Sequence, residues 1–110
     1  MALKSWSIPD FTGADVATET YLEQTLVDSA ATTVMLLSLL ISNYNDADPA
    51  HIIVKRTDSA DAIKFRWELD IPATNSPFAL DSKMVFESGD KLKIETDNPN
   101  VAAEASGDVS

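Results

Sequence analysis

Ile63-Lys64-Phe65-Arg66-Trp67-Glu68-Leu69-Asp70-Ile71 decides the fold. Ile63, Phe65, Trp67, Leu69 and Ile71 share one parity, and Lys64, Arg66, Glu68 and Asp70 share the other. Side chains alternate across a strand with period two, so one face is apolar and the opposite face fully charged. A helix would scatter the five apolar residues around its circumference. The stretch predicts a half-buried strand that covers one side of a core, with Trp67 inside that core.

Working outward, Ala50 to Thr57 reads as a strand, and Asp58-Ser59-Ala60-Asp61 as the turn joining it to Ile63–Ile71 in a hairpin. Thr33 to Asn43 is the most hydrophobic piece. Leu36, Leu37, Leu40 and Ile41 would suit a helical stripe, but the run is short and bounded by turn residues, which favours a central strand buried on both faces. Thr18 to Val27 is rich in β-branched and aromatic residues and reads as extended, with a short helix over Ala14 to Gln24 as the competitor.

Downstream, Pro72 to Pro77 is a loop, and Phe78-Ala79-Leu80 and Met84-Val85-Phe86 are short apolar pieces. Glu87-Ser88-Gly89-Asp90 is a turn in which Gly89 can take positive φ. Lys91 to Thr96 alternates again, with Leu92 and Ile94 inward. Val101 to Ala105 is a weak last strand, and residues 107–110 are expected to fray. About seven strands with short turns predict an all-β chain, an antiparallel β-sandwich or small barrel over residues 16–106.

Residues 1–15 read as an extended N-terminal arm. Leu3, Trp6, Ile8 and Phe11 are apolar without a regular period, and Pro9 and Gly13 interrupt any element. The arm either packs back on its own domain or docks on a neighbouring subunit. In the second case these four residues are its assembly contacts.

The 110 residues make one domain. Eight lysines and arginines against 18 acids give a net charge of −10, which argues against nucleic acid and anionic membranes as partners. With no cysteine, disulfides, thiolate nucleophiles and cysteine metal sites are excluded. The start lacks a signal-peptide apolar region, and the run Val34 to Ile41 is far below the ~20 residues of a membrane helix. These features predict a soluble protein made in a cytoplasm.

Candidate chemistry is sparse. His51, the sole histidine, has no nucleophile motif beside it and reads as a surface or edge residue. Asp46 and Asp48, Asp58 and Asp61, Asp81, Glu87 and Asp90, and Asp97 lie in turns that could gather calcium, yet none fits EF-hand spacing. Glu68 and Asp70 alternate on one strand face with Lys64 and Arg66, so cross-strand ion pairing explains them better than a glycosidase pair. Trp6 and Tyr44, in an arm and a loop, are candidate sugar-stacking residues. The expectation is no catalytic residue, no metal, no cofactor, and no enzyme.

A resemblance supplies the rest. The strand with Thr20-Tyr21-Leu22 precedes the apolar strand Leu36-Leu37-Ser38-Leu39-Leu40-Ile41-Ser42-Asn43. A hairpin follows, and then Ser76-Pro77-Phe78-Ala79-Leu80-Asp81 runs into Val85-Phe86-Glu87-Ser88-Gly89-Asp90-Lys91-Leu92-Lys93-Ile94. This order, over residues 18–105, resembles small β-sandwich virion proteins of tailed bacteriophages: capsid decoration (cement) proteins and pieces of the neck, tail or fibres. The resemblance implies a non-enzymatic structural protein that binds and stabilises the assembled head. It further implies a homo-oligomer, with a trimer favoured. Its partners would be the major capsid protein or other virion proteins, and its location the virion, assembled in the bacterial cytoplasm. The alanine-rich segment after Pro99 departs from the firmer, more apolar last strand expected there. A neck, tail or fibre component is the nearest alternative. A carbohydrate- or calcium-binding module using Trp6, Tyr44 and the loop acids is the alternative from another class.

Overall fold

The computed structural model describes residues 2–12, 15–18, 21–29, 32–73, 76–80 and 83–110, with the backbone alone at 15–18 and 76. Among these, ten strands form and no helix: β1 Ala2–Ile8, β2 Asp15–Thr18, β3 Tyr21–Asp28, β4 Val34–Asn43, β5 Ala50–Thr57, β6 Ile63–Ile71, β7 Ser76–Leu80, β8 Met84–Phe86, β9 Lys91–Thr96 and β10 Val101–Val109. They make two antiparallel sheets packed as a sandwich. One sheet runs β1-β10-β4-β7, with β8 also paired to β4, and the other runs β2-β3-β9-β5-β6.

The hairpin β5–β6 forms as the alternation predicts, with Val54 opposite Trp67 and His51 opposite Asp70. Its turn is held by Asp58, whose carboxylate accepts the amides of Ala60 and Ala62 at 2.9 and 3.0 Å. A second turn, 87–90, has Gly89 at φ 92°, where an L side chain is disfavoured. A Cβ at Gly89 would lie 2.7 Å from the Ser59 Cβ, so the two turns meet because that residue is glycine. Asp90 closes the second turn. Its carboxylate accepts the Glu87 amide at 3.1 Å and a 2.8 Å bond from Arg56, while buried Ser29 donates its hydroxyl to the carbonyls of Glu87 and Asp90.

The core lies between the sheets, where Leu36, Leu39 and Ile41 of β4 face Ile52 and Val54 of β5 and Leu92 and Ile94 of β9. All are essentially sealed from solvent. The strand over Thr33 to Asn43 is thus confirmed, but only one of its faces is fully buried, and Leu40 on the other is exposed. Register explains why the run of leucines lacks a clean alternation. Ser38 pairs Ser106 while Leu36 pairs Gly107, so Leu37 is an extra residue at a bulge. The inward set shifts there from Val34 and Leu36 to Leu39 and Ile41.

Over the described residues the extended reading of Thr18 to Val27 holds, with β3 at Tyr21–Asp28, and Val16 pairs Leu22 between β2 and β3 where the competing helix would have run. Other expectations are corrected. The predicted arm is β1, paired along its length with β10 from Ala2↔Val109 to Ile8↔Ala103. Residues 107–109, expected to fray, belong to β10, a strand hydrogen-bonded on both sides. Its small residues let it sit tightly: a Cβ at Gly107 would lie 2.6 Å from the Met35 carbonyl oxygen. Pro77, read as loop, falls within β7, an edge strand, where a missing amide donor is tolerated.

Candidate assembly surface

The apolar face of β6 does not behave as a core face. Ile71 is buried, Trp67 and Leu69 are half-buried, and Phe65 and Ile63 are 53% and 56% exposed. The expectation of Trp67 as a core residue is therefore corrected. The cause is position, since β6 is the last strand of its sheet and, among the described residues, pairs only with β5. Opposite it the other sheet ends in β7 and β8, two short strands sharing β4. Phe65 and Trp67 therefore face Phe78, Leu80 and Met84 across an open groove of about 340 Å³. The Phe65 and Trp67 rings pack tilted, centroids 5.4 Å apart. Three aromatic rings, a leucine and a methionine line this groove, so these side chains offer no acid, base or nucleophile. It can bury apolar surface, and the free edge of β6 can pair with another strand.

The outer face of β5–β6 is charged and organised across strands. His51 donates from Nδ1 to Asp70 at 2.6 Å and from Nε2 to Glu68 at 2.7 Å, the geometry of a doubly protonated ring. The bond to Asp70, then that to Glu68, hold its pKa above the ordinary imidazole value. The His51 bond in turn holds Glu68 below the usual carboxylate range. Arg66 reaches the other Glu68 oxygen at 3.2 Å. Glu68 and Asp70 are thus engaged by a histidine that sequence spacing did not connect to them, and Lys64 is not the partner of either in the contacts described. Further in, Lys55 bonds Glu23 at 2.5 Å and Glu95 at 2.7 Å. Burial works against the charged amine, but these two bonds outweigh it and raise its pKa.

The remaining candidates are dispersed. Tyr44 is partly exposed in the loop after β4, and half-buried Trp6 sits on β1 with the Lys4 amine 5.6 Å from its ring. The loop acids have local duties: Asp58 holds its turn, Asp61 binds Lys93 at 3.2 Å, Asp90 binds Arg56, and Asp97 accepts the His51 amide at 2.9 Å. Asp81 lies outside the described residues. Among those described, no group of three or more His, Cys, Asp or Glu side chains is placed to hold a metal ion. Buried Asn43 instead orders the loop end, donating to the carbonyls of Asp48, Ile71 and Pro72 and accepting the Asn45 amide.

Of the four assembly candidates, Ile8 and Phe11 are 3% and 0% exposed in this chain's own core, so they are not free to reach a neighbour. The Phe11 amide also bonds the Pro99 carbonyl at 2.9 Å. Trp6 packs against that core, and Leu3 alone is widely exposed, at 79%. The structure does not gather these four into a surface. It gathers Phe65, Trp67, Phe78, Leu80 and Met84, which the sequence shows as separate apolar pieces.

No family model and no curated protein matches the sequence. Among solved structures, a chain from the structure of infectious bursal disease virus Gx strain is similar over 96% of this chain and 30% of its own length. The identity is 9% and the TM-score 0.37, a loose likeness of strand arrangement that carries no argument about function.

Proposed function

We propose that this chain is a structural protein of a tailed-phage virion, a capsid decoration protein that binds and stabilises the assembled head. The observation that supports docking is the apolar groove at the open β6 edge, on a sandwich whose net charge is otherwise −10. The phage setting comes from the resemblance of residues 18–105. The role is non-enzymatic, with the major capsid protein as partner. A protein that binds only the assembled lattice adds its binding free energy to that lattice. Several copies bound together multiply weak contacts.

The test uses heads assembled without this chain. Purified chain should co-sediment with those heads, raise the temperature at which they rupture, and ignore unassembled capsid subunits. Binding to isolated necks, tails or fibres in place of heads would overturn the decoration role in favour of those structures. No binding to any of these parts would overturn the virion reading altogether.

A further inference from the structure

We infer that the exposed β6 edge pairs with the β6 of a second copy, antiparallel about a two-fold axis at Trp67, to form a homodimer. The argument is the self-complementarity of Ile63–Ile71 on an edge with no partner strand among the described residues. With Trp67 opposite its own copy, Lys64 meets Asp70, Arg66 meets Glu68, Phe65 meets Leu69, and Ile63 meets Ile71. Every charge then lies opposite its complement on one face, and every apolar residue opposite an apolar one on the other.

The competing registers fail. A two-residue shift one way sets Glu68 against Glu68, and the other way Arg66 against Arg66. A one-residue slip places charged residues on the apolar face. Parallel pairing in register sets each charge against itself. The side chains needed are accessible, with Arg66, Glu68 and Asp70 exposed by 48%, 41% and 79%. Within the chain His51 bonds one oxygen each of Asp70 and Glu68, and the exposed Arg66–Glu68 pair at 3.2 Å can exchange for the same pair across the axis.

Symmetry also joins the grooves. An axis perpendicular to the β6 sheet keeps both second sheets on the same side of the joined sheet. The two mouths lined by Phe65, Trp67, Phe78, Leu80 and Met84 then face one another and form one continuous apolar cleft, the surface the pair offers to the head. An isologous contact of this kind makes a pair, in place of the three-fold ring that the resemblance implied. It is a property of the isolated chain, so failure to bind phage heads would leave it standing.

The test is charge reversal with rescue in trans, read by sedimentation equilibrium of the full chain and of Arg66→Glu and Glu68→Arg, each checked for native circular dichroism. The wild type should be a concentration-dependent dimer. Each variant alone sets like charges across the axis twice, and should dimerise roughly tenfold or more weakly. An equimolar mixture of the two restores opposite charges at both positions and should recover the dimer. A wild type that is monomeric throughout, a trimer, or variants that dimerise unchanged would overturn the inference. So would native-fold variants whose mixture stays monomeric.

Discussion

At His51 one imidazole on β5 meets two carboxylates on β6, and the contact gives the hairpin a direction in pH. The groups facing the ring are Glu68 and Asp70 from β6 and the Tyr21 ring from β3, centroid 6.2 Å away, with Asp97 on the His51 amide. The folded pKa of His51 is raised above its ordinary 6.5, so its stabilisation is complete below that value and is lost as pH climbs through the folded pKa. Glu68 is lowered from 4.5, so its share is complete above that value and fades as pH falls through the folded pKa. Together they place the greatest benefit between those two ordinary values. The expected result is that His51→Gln lowers the urea midpoint at about pH 6 and has little effect at about pH 9. Equal losses at both would show that the ring acts through packing alone. The sequence showed the charged face of β6 and the 58–61 turn but not this clasp, because the register that sets His51 opposite Asp70 depends on a shift between Arg56 and Thr57 that the pattern does not mark.

Strands whose alternation uses large side chains were legible, and those built from small ones were not. β5, β6 and β9 form over the residues their patterns marked, and Gly89 takes the positive φ expected of its turn. β10 also alternates, with Ala103, Ala105 and Gly107 buried between Ala102, Glu104 and Ser106, but the contrast between those residues is faint. Neighbouring strands bury it, and hydropathy does not reveal that. In β1, Trp6 and Ile8 share the inward parity, while Leu3 lies on the other parity and stays in solvent, which spoils the period. β1 is therefore structural, and removing residues 2–12 takes away a paired strand together with buried Ile8 and Phe11. The expected cost is at least about 4–6 kcal/mol, a large share of the stability of an ordinary domain. Circular dichroism of the truncated chain should show a much lower melting temperature or no cooperative melt. A truncated chain that melts like the full one would place β1 outside the folding unit.

For the molecule as a whole, the sandwich was legible from the number of strands and the spacing of turns, but the edges were not. Alternation says that one face of a strand is apolar. Whether a second sheet covers that face depends on strand order, a long-range property that local sequence does not encode. That is why β6 reads as a core strand and proves to be an edge over a groove. Strand order also brings the chain's first and last strands together, with Ala2 opposite Val109, on the edge of their sheet away from β7. Forming that pair closes nearly the whole chain into a loop, and the unfolded state gains the corresponding freedom when the pair opens. Joining the two ends through a short glycine linker of about three residues should turn β10 and β1 into a hairpin without disturbing their register. The loop-entropy argument puts the gain at up to about 4 kcal/mol. For a domain of this size that is a rise of up to roughly 15 °C in melting temperature. The comparison is calorimetry of the cyclised chain against a linear chain of identical residues. A cyclic chain that melts at or below the linear one would mean that the β1–β10 pairing does not extend to the ends in solution, and that the strand order drawn from it is too long by those residues.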